Sequence, residues 1–277
     1  MGKRQKRIPV RPPGKCIFCG CAGNLSKEHL WSSWMKDLFP QEAIPEHDEV
    51  VSVRTRKVVP VGTPKVLSRQ GGAITKKLRV VCETCNNEWM SELEDQVKPI
   101  LTPLILGQEI VLNPAMQKTL AEWISLKTMI AEHNVPADVI VRQEDRDKFL
   151  RDRMIPPYFR IWVMSSKSEK WRSRYIRHNA TFTLPSKPLM SPRKNTQTIA
   201  WGVGRLFIFV MMSLAEGLDL CDWINVRPVV LRLFPYSGST LPFPFLVTLD
   251  DQMGDRIASS LDMLIQSPNV LWKNPPI

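Results

Sequence analysis

Val80–Leu93 reads VVCETCNNEWMSEL, and the fold turns on how those residues are read. Cys82 and Cys85 form a C-x-x-C pair. Asn86 follows the second thiol, and Trp89, Leu93 and Val97 then recur at helical spacing with Met90 beside them. Such a pair is half of a metal site. The other half lies in Cys16–Met35, CIFCGCAGNLSKEHLWSSWM, where Cys16 and Cys19 have the same spacing. Four thiolates complete a tetrahedral zinc shell and leave no open position, so a structural Zn2+ is expected on Cys16, Cys19, Cys82 and Cys85. The 62 residues between the pairs would form a large loop closed by the metal. Cys21 is a neighbouring thiol that could compete, but the C-x-x-C geometry favours Cys19. Cys221 reads as a small core residue.

The composition is that of a globular chain. Of 277 residues, 43% are apolar and 23% charged, proportions ordinary for a soluble globular protein. The longest apolar run, Leu206–Met212, is too short to span a bilayer, so no membrane association is expected. The N-terminus is charged with no apolar stretch behind it, and Lys6 stands where a myristoylation signal needs Ser or Thr. A cytoplasmic protein with reduced thiols is the expectation. The net charge is +11, and the first 27 residues hold seven Lys or Arg and no acid. A polyanion is the partner this implies, with Lys3, Arg4, Lys6, Arg7 and Arg11 on a basic arm as candidate contacts.

The chain divides at sequence level into three parts: the arm, 1–14; a zinc module, 15–98, whose helix is expected to stop at Pro99; and an α+β region, 99–277. Within the module, Val50–Val61 reads as one or two short strands, Ser68–Ala73 as a turn or flexible loop, and His47-Asp48 as exposed loop. In the third part, Asn113-Pro114 is a cap followed by proline at the first helical position. The strand-like runs Phe159–Met164, Arg174–Leu184, Thr196–Met212, bent at Gly202 and Gly204, and Val229–Phe234 follow. Asp250 caps a last helix. The fold class is thus α+β, with a mainly antiparallel sheet. Arg172, Arg174 and Arg177, in WRSRYIRH, suit a strand edge that tracks phosphates or, equally, a solvated strand face. Trp31 and Trp34 could stack on bases, although packing against the knuckle explains them better.

Glu28-His29 and Asn86 complete the chemistry. A carboxylate and an amide oxygen suit a hard divalent cation, and an imidazole can take a proton from water. Together the C-x-x-C, Glu-His and C-x-x-C-Asn elements over Lys15–Glu94 resemble the zinc-binding HNH endonucleases with a ββα-metal, treble-clef-like fold. The resemblance implies His29 as general base, Glu28 and Asn86 on a catalytic Mg2+ or Mn2+, and DNA as substrate, with RNA as the other candidate. It also implies a setting in phages, mobile elements or defence systems. The family's middle Asn is replaced here by Lys77, which could contact the phosphate instead; Gln70 or a backbone carbonyl could substitute for that Asn. The leading expectation is a metal-dependent endonuclease, whose C-terminal region binds substrate, a partner or a second copy. A zinc-stapled nucleic-acid-binding or interaction protein with a degenerate site is the alternative.

Overall fold

The computed structural model describes residues 14–38, 76–182, 194–215 and 231–261, together with the backbone of four strands between positions 46 and 70. Two short strands, β1 (Gly14–Lys15) and β2 (Ala22–Gly23), pair on either side of the first knuckle. They lead into a hairpin-like pair, β3 (Leu25–His29) against β8 (Lys77–Cys82), antiparallel with an irregularity between Ser26 and Glu28. One helical turn, α1 (Glu83–Cys85), carries the second knuckle. A widened turn over Asn86–Met90, where Glu88 leaves helical backbone angles, joins it to α2 (Ser91–Leu106).

Pro99 does not stop that helix; Pro99 and Pro103 both lie inside it. An internal proline costs about 3 kcal/mol by removing a hydrogen bond and crowding the preceding turn. Burial of Leu93, Val97, Ile100, Leu101, Leu104 and Ile105 along one face offsets this, because packing rather than propensity stabilises most helices. The expected boundary at 98/99 therefore falls in the middle of a helix.

After α2 come β9 (Ile110–Leu112) and α3 (Pro114–Ala131), capped as expected by Asn113, whose side chain accepts from Met116 N at 2.9 Å. α3 is buried nearly all round from Leu120 onward. α4 (Gln143–Asp152) follows.

Five of the strands that follow belong to one sheet: β10 (Phe159–Ser165), β11 (Ser173–Thr181), β12 (Thr196–Val203), β13 (Leu206–Ser213) and β14 (Leu231–Phe234). Its order among the described residues is β14-β10-β13-β12-β11-β4-β7. The last two are β4 (Glu46–Val51) and β7 (Lys65–Gln70); β5 (Val53–Arg56) and β6 (Val59–Val61) are attached beside them. The insertion between His29 and Lys77 thus extends the sheet of the C-terminal region, with β4 and β5 parallel to β11. His47-Asp48 and Ser68–Gln70, expected as loop and turn, lie on strands; their side chains, like Gln70's, fall outside the described residues.

Gly204, at φ +58, turns β12 into β13. A Cβ there would lie 2.3 Å from the Ile105 carbonyl oxygen, so the tip needs glycine both for its backbone and for its approach to the end of α2. One sheet face packs on α2, α3 and the knuckles in a single core that runs from Cys16 to Phe245. The other packs Trp162, Trp171, Phe207 and Phe209 under α5 (Asp251–Ala258), with Asp250 as its cap. β15 (Leu241–Phe243) pairs with β9. The architecture is α+β, as the sequence implies. No helix of the described residues is long and apolar enough to cross a membrane.

Candidate metal centre and the basic hairpin

The first knuckle is a turn closed by Gly20 N donating to Cys16 O at 3.0 Å, with Gly20 at φ +71, a conformation that suits glycine. Ile17 N donates to Val80 O at 2.9 Å, which lays this knuckle beside the strand leading to the second. In the second, Cys85 N donates to Cys82 Sγ at 3.4 Å. The four sulfurs of Cys16, Cys19, Cys82 and Cys85 lie within 4.8 Å of one another, and Cys19 and Cys82 are 3.6 Å apart. Tetrahedral Zn–S bonds of about 2.3 Å place sulfurs about 3.8 Å apart, so the set fits a zinc ion. All four thiols are free of disulfides. Burial opposes ionisation of Cys16, but hydrogen bonds from the knuckle backbone outweigh it and bring the thiol down to about 7. Burial pushes Cys85 up, and the charge on Cys16 adds to that; Cys82 is raised as well. Four adjacent thiolates therefore need a cation to hold their charge. Among the described residues this is the one group of three or more His, Cys, Asp or Glu side chains close enough for a metal. Cys21 is exposed, and its carbonyl accepts from Cys16 N.

The knuckle is also held from outside. The Ile17 carbonyl accepts from Gln143 Nε2 at 3.0 Å and Arg146 Nε at 2.9 Å, both on α4. Arg146 Nη1 donates to Val141 O and lies 3.6 Å from Glu132 Oε1. Glu132 is fully buried, and its other carboxylate oxygen accepts from Ile140 N and Val141 N.

Glu28 and His29 occupy the end of β3 and point to different surroundings, as neighbouring strand residues do. His29 is half-buried and stands opposite Lys77 across the ladder. Burial, then the charges of Lys77, Lys36 and Lys127, hold its imidazole below the usual histidine range, against a smaller opposite pull from Glu94. Lys27, Lys77 and Arg79 are exposed and alternate with buried or half-buried Glu28, Leu78 and Val80. The hairpin thus turns a basic face to solvent, with His29 in it.

Glu28 is 8% exposed, and its Oε1 lies 2.6 Å from Lys127 Nζ. That geometry does not fit the divalent cation expected on Glu28: an ammonium already meets the carboxylate, and a second cation there would be repelled by it. Asn86, half-buried, starts the widened turn.

Lys127, Glu94 and Arg146 escaped the sequence reading. The one available signal was a lone charged residue, Lys127, in the otherwise uncharged run Trp123–Ala131 of a buried helix, which must have an acidic partner.

The proposed arginine row separates on folding. Arg177 is 0% exposed and donates to the carbonyls of Glu132 at 2.8 Å and Ala131 at 3.5 Å, at the C-terminal end of α3. It cannot reach a phosphate from there; it caps the negative end of a helix instead. Arg174 lies 5.2 Å from the centre of the Trp171 ring and 4.0 Å from Asp255, and Arg172 pairs with Glu169 at 3.1 Å. Trp31 is buried and presents no face for stacking on bases; Trp34 is half-buried, its indole N–H donates to Glu94, and the Lys98 ammonium lies over its ring at 5.5 Å. Lys3, Arg4, Lys6, Arg7 and Arg11 lie outside the described residues. Comparison of the chain with protein-family models, curated proteins and solved structures finds no match.

Proposed function

We propose that this protein is a zinc-stapled nucleic-acid-binding protein that meets the phosphate backbone with the exposed face of the β3–β8 hairpin. The observation that carries this reading is the set Lys27, Lys77 and Arg79 around His29 on one face, in a chain of net charge +11. Cations on two adjacent strands can neutralise backbone phosphates and give affinity without sequence readout. The C-terminal sheet holds the hairpin from behind through the shared core, so the face is presented rigidly.

The test is the charge-reversed variant Lys77→Glu/Arg79→Glu. Binding to duplex DNA and to single-stranded RNA is measured by fluorescence anisotropy across a salt series. Affinity should fall, and the slope of log K against log salt on the duplex should shrink by about 2, since each phosphate contact contributes about 0.9. Unchanged affinity and slope on both nucleic acids would overturn the reading.

A second reading, the HNH-type nuclease, is favoured by one specific observation: His29 is half-exposed, kept neutral and set beside Lys77. A neutral imidazole can accept a proton from water attacking phosphorus, and Lys77 and Arg79 would meet the phosphate charge. Glu28, committed to Lys127, supplies no metal ligand in this arrangement. Plasmid nicking with and without Mg2+ or Mn2+, lost in His29→Ala while binding persists, would establish this reading over the binding module.

A further inference from the structure

Three side chains from three elements meet beneath the hairpin: Glu28 of β3, Glu94 of α2 and Lys127 of α3. Lys127 Nζ lies 2.6 Å from Glu28 Oε1, 2.6 Å from Glu94 Oε1 and 3.4 Å from the His29 carbonyl oxygen. These three acceptors match the three N–H bonds of an ammonium. The side chain is 1% exposed. Glu94 also accepts from Ser32 Oγ at 2.5 Å, Trp34 Nε1 at 3.2 Å and Trp123 Nε1 at 3.3 Å. Two carboxylates around one ammonium leave a net negative charge, and these neutral donors offset it on the Glu94 side.

Two carboxylate oxygens and a backbone carbonyl are also the donor types a hard divalent cation takes. We infer that Lys127 is the resident cation of this site: α3 delivers an ammonium to the oxygens of Glu28, Glu94 and His29, so that the folded protein excludes a divalent metal from Glu28. Two consequences follow. The carboxylate beside His29 serves as a lock between the hairpin and α3. Any metal binding at Glu28 would require α3 to withdraw Lys127, which has no solvent-exposed route while that helix is buried. The inference does not depend on whether the basic face binds nucleic acid, and its test uses no nucleic acid.

The experiment is an Mn2+ titration of the zinc-loaded full chain. Free Mn2+ is followed by electron paramagnetic resonance, and the His29 ring protons by NMR, since bound Mn2+ broadens protons near it. The wild type should bind Mn2+ more weakly than about 1 mM, the weak limit for protein sites of this kind, and the His29 signals should stay sharp. Lys127→Met, close in length and uncharged, should bind Mn2+ at least tenfold more tightly and broaden His29. Adding Glu28→Gln to it should abolish that binding. Tight Mn2+ binding by the wild type with His29 broadened would overturn the inference. So would a folded Lys127→Met protein that binds no more Mn2+ than the wild type. If Lys127→Met fails to fold, as judged by zinc content and circular dichroism, the wild-type titration decides alone: sharp His29 signals sustain the exclusion and broadened ones refute it.

Discussion

Glu94→Ala should destabilise this protein far more than an ordinary surface substitution in α2. The carboxylate is the hub of the junction between the hairpin, α2 and α3: it pairs with Lys127 at 2.6 Å and accepts from Ser32, Trp34 and Trp123. Removing one partner of a buried ion pair costs about 3–5 kcal/mol, because the remaining charge keeps its desolvation penalty. Lys127 retains Glu28, which lowers that figure, but the buried Trp123 and Ser32 donors lose an acceptor, which raises it. The expected loss is therefore about 3–5 kcal/mol, a large share of the roughly 5–15 kcal/mol that holds a domain folded. Guanidinium denaturation of the zinc-loaded chain, followed by tryptophan fluorescence, would measure it. Acid provides a further check. Burial alone would raise the Glu94 pKa, but the charge and hydrogen bond of Lys127, and then the hydrogen bonds from Ser32 and Trp123, outweigh it and hold the group below its ordinary 4.5. A depressed carboxylate adds stability above its unfolded pKa and loses it as pH falls through the folded one. The curves of wild type and Glu94→Ala should thus converge in acid. A loss below about 1 kcal/mol at pH 7, the worth of an exposed pair, would refute the reasoning.

Zinc removal should unfold more than the knuckles. Thiolate-bound zinc is worth on the order of 10 kcal/mol in small modules, and the Ile17 carbonyl ties the first knuckle to α4. Cys82→Ser or strong chelation should lower the melting temperature of the whole cooperative unit; an unchanged melting curve in a zinc-free sample would exclude the site. Glu132 should impose an opposite pH trend. Burial raises its pKa from 4.5 to about 7, so the folded state binds the proton more tightly and stability falls as pH rises from about 4.5 to about 7, by about 3 kcal/mol. Glu132→Gln should remove that fall, and identical slopes in the two proteins would show that Glu132 does not titrate in this range.

What could be read directly from the sequence was local. The two C-x-x-C pairs, the Asn113-Pro114 cap, the Asp250 cap and the turn at Gly204 each depend on backbone geometry or ligand spacing within a few residues, and each appears where the residues imply. The alternation of Ile176, Ala180 and Phe182 likewise marks the face that packs under α5. Contacts across long separations were decided only by tertiary structure. Lys127 meets Glu28 across 99 positions, and nothing in the Glu-His dipeptide shows which cation its carboxylate will find. Arg177 sits in a strand pattern that suits a solvated face, yet it is buried because the carbonyls at the end of α3 supply the acceptors it needs. Pro99 reads as a stop signal, and the buried face of α2 overrides it. The insertion between His29 and Lys77 joins the sheet rather than the module, since an open edge of β11 offers it backbone hydrogen bonds that its own sequence does not reveal. Local rules act through neighbouring bonds. The ionic lock and the shared core arise from which surfaces the packed chain brings together, and that is decided by burial over the whole molecule.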